Sequence, residues 1–160
     1  MELVYLGKIV STHGIKGELK IKSNFQYKEQ VFKPGNYLVI DNKKYQIKTY
    51  RRHKDYEMVT LDDYTNINEV LFLLKKKVYI EKNSLDDNII LDSDLLNYKV
   101  IIDDKIGEIK EVFFASKSNK ILRVLIDEKE ILVPYNDMFI KKIDSNEEKI
   151  YIQLIDGMIL

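Results

Sequence analysis

The chain has 160 residues, enough for one compact domain or two small ones, and its 26 Lys and Arg balance 26 Asp and Glu to a formal net charge of zero. Bulk electrostatics alone therefore cannot hold it on a nucleic acid, and any such contact must come from a local patch or be shared with a protein partner. Cysteine is absent, which excludes disulfides, cysteine-based zinc sites and thiol catalysis, and no apolar run approaches the roughly 18 residues of a membrane span, so the expected setting is the cytoplasm with no membrane attachment.

Along the chain, short alternating segments dominate. In Gly17–Lys22 the pattern sets Leu19 and Ile21 on one face and Glu18, Lys20 and Lys22 on the other, the period of a half-buried strand. Similar strands are predicted at Leu3–Val10, Tyr37–Ile40, Lys44–Tyr50, Tyr56–Leu61 and Lys77–Ile80, with turn chemistry at Pro34-Gly35-Asn36 and Asp41-Asn42. One short helix is predicted in this half. Asn66 and Glu69 have capping-box spacing, Ile67, Val70, Leu71 and Leu74 follow one helical face, and Lys75 to Lys77 suit a helix C-terminus.

A polar, acidic stretch around Ile89, Ile90 and Leu91 interrupts this and reads as a linker over 83–93. A second strand series follows at Tyr98–Ile102, Ile106–Phe114, Ile121–Ile126, Ile131–Pro134 and Lys149–Ile155, with hairpin turns at Asp103-Asp104-Lys105 and Asp127-Glu128-Lys129. The expected fold is all-β, mainly two small β-barrels, with domains at 1–82 and 94–160.

Motifs for chemistry are sparse. Neither a dinucleotide fingerprint nor a phosphate-binding P-loop is present. Gly14-Ile15-Lys16-Gly17 has the spacing of an RNA-backbone clamp, but strands flank it, and a tight interstrand loop needing two permissive residues is the more ordinary outcome. His13 and His53 are the only histidines. Neither has carboxylates at metal-ligand spacing, and His13, beside Gly14, reads as a surface loop residue. Asp92-Ser93-Asp94 lacks the glycine and glutamate of a calcium loop and reads as a solvated turn. Arg51-Arg52-His53-Lys54 offers four consecutive donors at a strand end, suited to phosphate oxygens or, more blandly, to a solvated hairpin rim.

The stretch from Leu6-Gly7-Lys8-Ile9-Val10 through His13-Gly14-Ile15-Lys16-Gly17-Glu18-Leu19 resembles the N-terminal signature of the RimM family. Arg51-Arg52-His53-Lys54 with Met58 to Asp62 is similar to that family's basic hairpin, and Asn68-Glu69-Val70 to its helix start. Asp94-Leu95-Leu96-Asn97-Tyr98-Lys99-Val100, Ile106-Gly107-Glu108-Ile109, Leu132-Val133-Pro134 and the close Asp156-Gly157-Met158-Ile159-Leu160 continue the likeness in order. Two positions depart from the family: Ile90 and Leu91 stand where it has a partner-binding tyrosine pair, and Asn97 where it has glycine.

The resemblance implies an N-terminal six-stranded β-barrel of the translation-protein type and a C-terminal PRC-barrel. It implies a monomeric factor that acts on the small ribosomal subunit during maturation of its head. Such a factor binds the small-subunit ribosomal protein numbered nineteen and promotes 16S rRNA processing, with no catalytic residue, cofactor or metal. His13, Gly14, Lys16, Gly17, Arg51, Arg52, His53 and Lys54 are expected to face the ribosome and its rRNA from one end of the first barrel. Ile90, Leu91, Leu95 and Leu96 are expected to meet the ribosomal protein, although burial between the two barrels competes for the first two. A PRC-barrel adaptor with no ribosomal role and an RNA-acting enzyme are the alternatives.

Overall fold

The computed structural model describes residues 2–155, so the family-like close at Asp156 to Leu160 lies outside the described residues. The chain divides into two compact units, Met1–Ile89 and Ile90–Leu160.

In the first unit, β1 (Leu3–His13), β2 (Glu18–Lys22), β3 (Tyr37–Ile40), β4 (Lys43–His53), β5 (Tyr56–Leu61) and β6 (Lys77–Glu81) close into a barrel in the order β1-β2-β5-β4-β3-β6. Closure leaves no free strand edge. Alternation sends Leu6, Ile9, Leu19, Ile21, Leu38, Ile40, Val59 and Leu61 into one core. β1 and β4 run to 11 residues each, longer than the periodicity suggests, because register shifts at Tyr5/Gly7, Ile9/Ser11 and Ile47/Thr49 let them bend around the barrel. At Gly7 the backbone of Lys22 comes so close that a β-carbon would run into its carbonyl oxygen. The β3–β4 hairpin turns on Asp41 and Asn42, both left-handed with φ of 50° and 63°, the two-residue geometry whose twist matches the strands.

The expected helix after Asn66 takes a different form. Its capping box is present, with Asn66 accepting from the Asn68 N–H and Glu69 accepting from the Asn66 N–H. It then winds as two 3-10 turns, Ile67–Glu69 and Leu71–Leu73. The buried positions are Val70 and Leu73, with Ile67 half-buried, a period of three, and Leu71 points outward at 45% exposure. Lys75, at φ 67°, ends the segment before it can become α-helical. The short α-helix of this unit is instead α1 (Lys28–Val31), whose Val31 enters the core together with the next residue, Phe32.

The second unit contains α2 (Asp92–Leu95) and one sheet of β7 (Lys99–Ile102), β8 (Lys105–Ser116), β9 (Asn119–Ile126), β10 (Lys129–Pro134), β11 (Ile140–Asp144) and β12 (Lys149–Ile152). Its order is β10-β9-β8-β7-β12-β11, with β12 parallel to β7 and the other pairs antiparallel. Tyr98, Val100, Ile102, Leu122, Val124, Ile126, Val133 and Ile150 form its core. β11 has no clean alternation to announce it, since Lys141 and Lys142 interrupt the apolar residues and a register shift falls between Ile140 and Lys142. The all-β expectation holds in both units.

Candidate functional site

The first candidate surface lies on the barrel wall formed by β1, β2, β5 and β4. Gly14 and Gly17, at φ of 70° and 85°, close the β1–β2 loop in left-handed backbone that other residues adopt only at a cost. Both glycines are thus used as the interstrand loop requires. A β-carbon at Gly17 would stand 3.1 Å from the Asn66 carbonyl oxygen, and the Ile67 N–H donates to the Ile15 carbonyl at 2.9 Å. The loop is therefore docked on the capping turn, with Ile15 78% exposed at its tip. His13, Gly14, Ile15, Lys16, Glu18 and Thr60 line a shallow cavity of about 310 Å³.

The two polar segments meet, though not at one end of the barrel. β2 and β5 are antiparallel, with Leu19 facing Val59 and Ile21 facing Glu57, so the 14–17 turn and the 54–55 turn stand at opposite ends of that short ladder. The side chains instead come together across the outer wall. Because Leu19 and Ile21 point inward, Glu18 and Lys20 point out. The His13 and His53 rings lie 5.8 Å apart between centroids. Arg51 forms a two-pronged pair with Glu18, its Nε donating to Oε2 at 2.9 Å and its Nη2 to Oε1 at 2.7 Å. The Arg51 hydrogen bond first, and then the charges of Arg51, His13 and His53, hold the Glu18 carboxyl below its ordinary value against the opposing effect of burial. The Lys20 ammonium sits 4.5 Å above the Tyr56 ring.

Arg52 has a different partner. Its Nη1 lies 3.5 Å from Oε1 of Glu57, a carboxylate with no exposed surface, and Lys28 approaches the other oxygen at 3.9 Å. The Tyr50 hydroxyl donates to Glu57 at 3.0 Å. Burial, and then this hydrogen bond, push the Tyr50 phenol up to about 12. Sequence reasoning missed Glu18 and Glu57. Part of the signal was present, since alternation places Glu18 outward and Glu57 in phase with the inward residues Val59 and Leu61.

The second candidate surface begins the second unit. Ile90 and Leu91 are half-buried, Ile90 against the core. The Asp92-Ser93-Asp94 segment opens a helical turn rather than a solvated one, and the Asp94 carboxylate accepts from the Leu91 N–H at 3.0 Å. That turn corrects the expectation for Leu95. Leu95 closes that turn at 1% exposure and belongs to the core together with Tyr98, while Leu96 is turned out at 48%. Asp92 is 2.6 Å from the ammonium of Lys120, a nearly buried side chain that also lies 4.9 Å from the Tyr135 ring centre. The described residues contain no cluster of metal-ligating side chains and no helix long and apolar enough to cross a membrane.

Comparison with known proteins covers both units. A family model described as the RimM N-terminal domain matches residues 4–85, and one described as the PRC-barrel domain matches residues 87–159. A protein named ribosome maturation factor RimM from Ligilactobacillus salivarius is 38% identical, the alignment covering 99% of each chain. One of the same name from Staphylococcus saprophyticus is 34% identical over 98% of each. A solution structure of the N-terminal domain of RimM from Thermus thermophilus is 20% identical, with a TM-score of 0.47, over 54% of this chain and 96% of that one.

Proposed function

This chain belongs to the RimM family, and from that membership we propose that it is a ribosome maturation factor that assists assembly of the small-subunit head and 16S rRNA processing. The observation that carries the proposal is the match over both units in the same order, with relatives of that name aligned over nearly the full length of both chains. The reading assigns no catalytic step. The barrel wall around His13, Gly14, Lys16, Gly17, Arg51, Arg52, His53 and Lys54 faces the subunit and its rRNA. Ile90, Leu91 and Leu96 meet the ribosomal protein numbered nineteen in a cytoplasmic complex with one copy of this chain. The buried Leu95 takes no part in that contact. An adaptor role confined to the second unit is disfavoured by the N-terminal match over residues 4–85.

Sedimentation of a cell lysate tests the proposal. The protein is expected with free small subunits or their precursors and depleted from assembled 70S ribosomes. Equal occupancy of both fractions would sink it. A pull-down with the isolated ribosomal protein tests the second surface: replacing Leu96 with Ala should weaken capture with little change in melting temperature, whereas replacing Ile90 and Leu91 should weaken capture and also lower the melt, since Ile90 packs against the core. A melt lowered by several degrees with capture intact would return these residues to a purely structural role.

A further inference from the structure

Much of the positive charge that the sequence suggests on the barrel wall is already engaged. Glu18 takes one N–H from Nε and one from Nη2 of Arg51, so the remaining guanidinium donors face away from that carboxylate. Arg52 lies against Glu57, and Lys20 lies over Tyr56. What differs at this spot is the imidazole pair, 5.8 Å between ring centres with planes inclined at 49°. Histidine is the side chain whose charge changes near neutral pH. Two imidazolium rings this close repel each other, and an anion beside them removes that penalty.

Resting on the reading that this wall faces the ribosome, we propose that His13 and His53 form a proton-linked phosphate site, seating one phosphodiester of the RNA backbone against the ring pair beside Arg51, with proton uptake on binding. The groups facing the pair are Glu18 and Lys20 from β2, Arg51 from β4, Lys54 from the β4–β5 turn and Tyr56 from β5. Desolvation first, then the charges of Arg51, Lys54, His13 and Lys20, lower His53 from the ordinary imidazole value of 6.5. An arriving phosphate acts in the opposite sense and stabilises the imidazolium. The protonated form is then the one that binds better, and affinity rises as pH falls through the imidazole range. The Glu18 carboxylate favours the imidazolium forms, and the Arg51 guanidinium bonded to both of its oxygens offsets that charge.

The test titrates the full-length protein into purified free small subunits by calorimetry at pH 6.5, in two buffers of different ionisation enthalpy. A direct affinity measurement at pH 6.0 and pH 8.0 accompanies it. Wild type is expected to take up protons on binding and to bind about three- to ten-fold tighter at pH 6.0. The double variant His13→Gln, His53→Gln should lose most of the uptake and most of the pH dependence, with its melting temperature unchanged. If the double variant does not fold, the two single variants carry the same comparison, each removing part of the uptake. Binding without proton uptake, or with uptake that the substitutions leave unchanged, overturns the phosphate site and leaves the ribosome-facing wall standing. No binding at either pH overturns both.

Discussion

Arg51 and Arg52 on the barrel keep their exposure but share their charge with Glu18 and Glu57, whereas Leu95 in the second unit keeps its apolar character and loses its exposure. Both residue types were candidates for contact, and each is constrained by a neighbour that composition does not reveal. Being on the surface and being free to bind are separate properties. The first follows from strand period and helical turn, the second from which side chains those elements bring within reach.

The contrast fails if Leu95 is not core. Leu95→Ala is expected to destabilise the second unit by about 3 kcal/mol in chemical denaturation, the central range for a fully buried leucine. Leu96→Ala, one residue on, should stay within about 0.5 kcal/mol of wild type. Equal effects at the two positions would erase the distinction between them.

On the barrel, Glu57→Ala should cost about 2 kcal/mol, because it strands the Tyr50 hydroxyl and removes the partner of Arg52. Glu57→Gln should cost less, since its amide oxygen can still accept from Tyr50. Ultraviolet titration of wild type and Glu57→Gln sharpens the point. The Tyr50 phenol, at about 12 in wild type, should titrate lower in the variant yet stay above an ordinary tyrosine, because burial is the larger cause of its elevation. No change in its titration would mean that the carboxylate is not bonded to it.

A smaller effect, about 1–2 kcal/mol by thermal melt, is expected for Gly17→Ala, where a β-carbon meets both a φ of 85° and the Asn66 carbonyl. Gly14→Ala has open space and should cost only the conformational part. If the two variants melt together, the contact with Asn66 is unimportant.

The smallest effect belongs to the Arg51–Glu18 pair. Glu18 is held below its ordinary value of 4.5, so its contribution is complete above that value and is lost as pH falls through its lower, folded-state value. Glu18→Gln should flatten the acid limb of the stability profile and leave neutral-pH stability nearly unchanged, because one arginine partner is about half exposed and the pair is screened by solvent.

The barrel strands were legible in the sequence because period-two alternation survives in them; Tyr37–Ile40 and Tyr56–Leu61 appear with the expected limits. Strand ends were less legible, since β1 and β4 extend through register shifts that break the alternation. The turn after Asn66 was legible as a capped start but not as a 3-10 segment, because Val70-Leu71 with Leu73-Leu74 satisfies a period of three as well as 3.6. β11 and α1 were too short or too interrupted to register. Of the first candidate surface, the residues could be named from sequence but not their pairing, since Arg51 and Glu18 are 33 positions apart and meet only once β5 lies between their strands.

The docking of the β1–β2 loop on the Asn66 turn bears on the entropy of association. Two left-handed glycines, a backbone hydrogen bond from Ile67 to Ile15 and the close approach of Gly17 to Asn66 fix the loop in the isolated protein. A loop that must be ordered on contact forfeits binding free energy with every residue immobilised, and one fixed beforehand forfeits little. His13 and Lys16 are thus presented from a frame set during folding, and substitutions at Asn66 or Ile67, distant in sequence from any contact, should appear as slower association with a partner rather than as lost contacts.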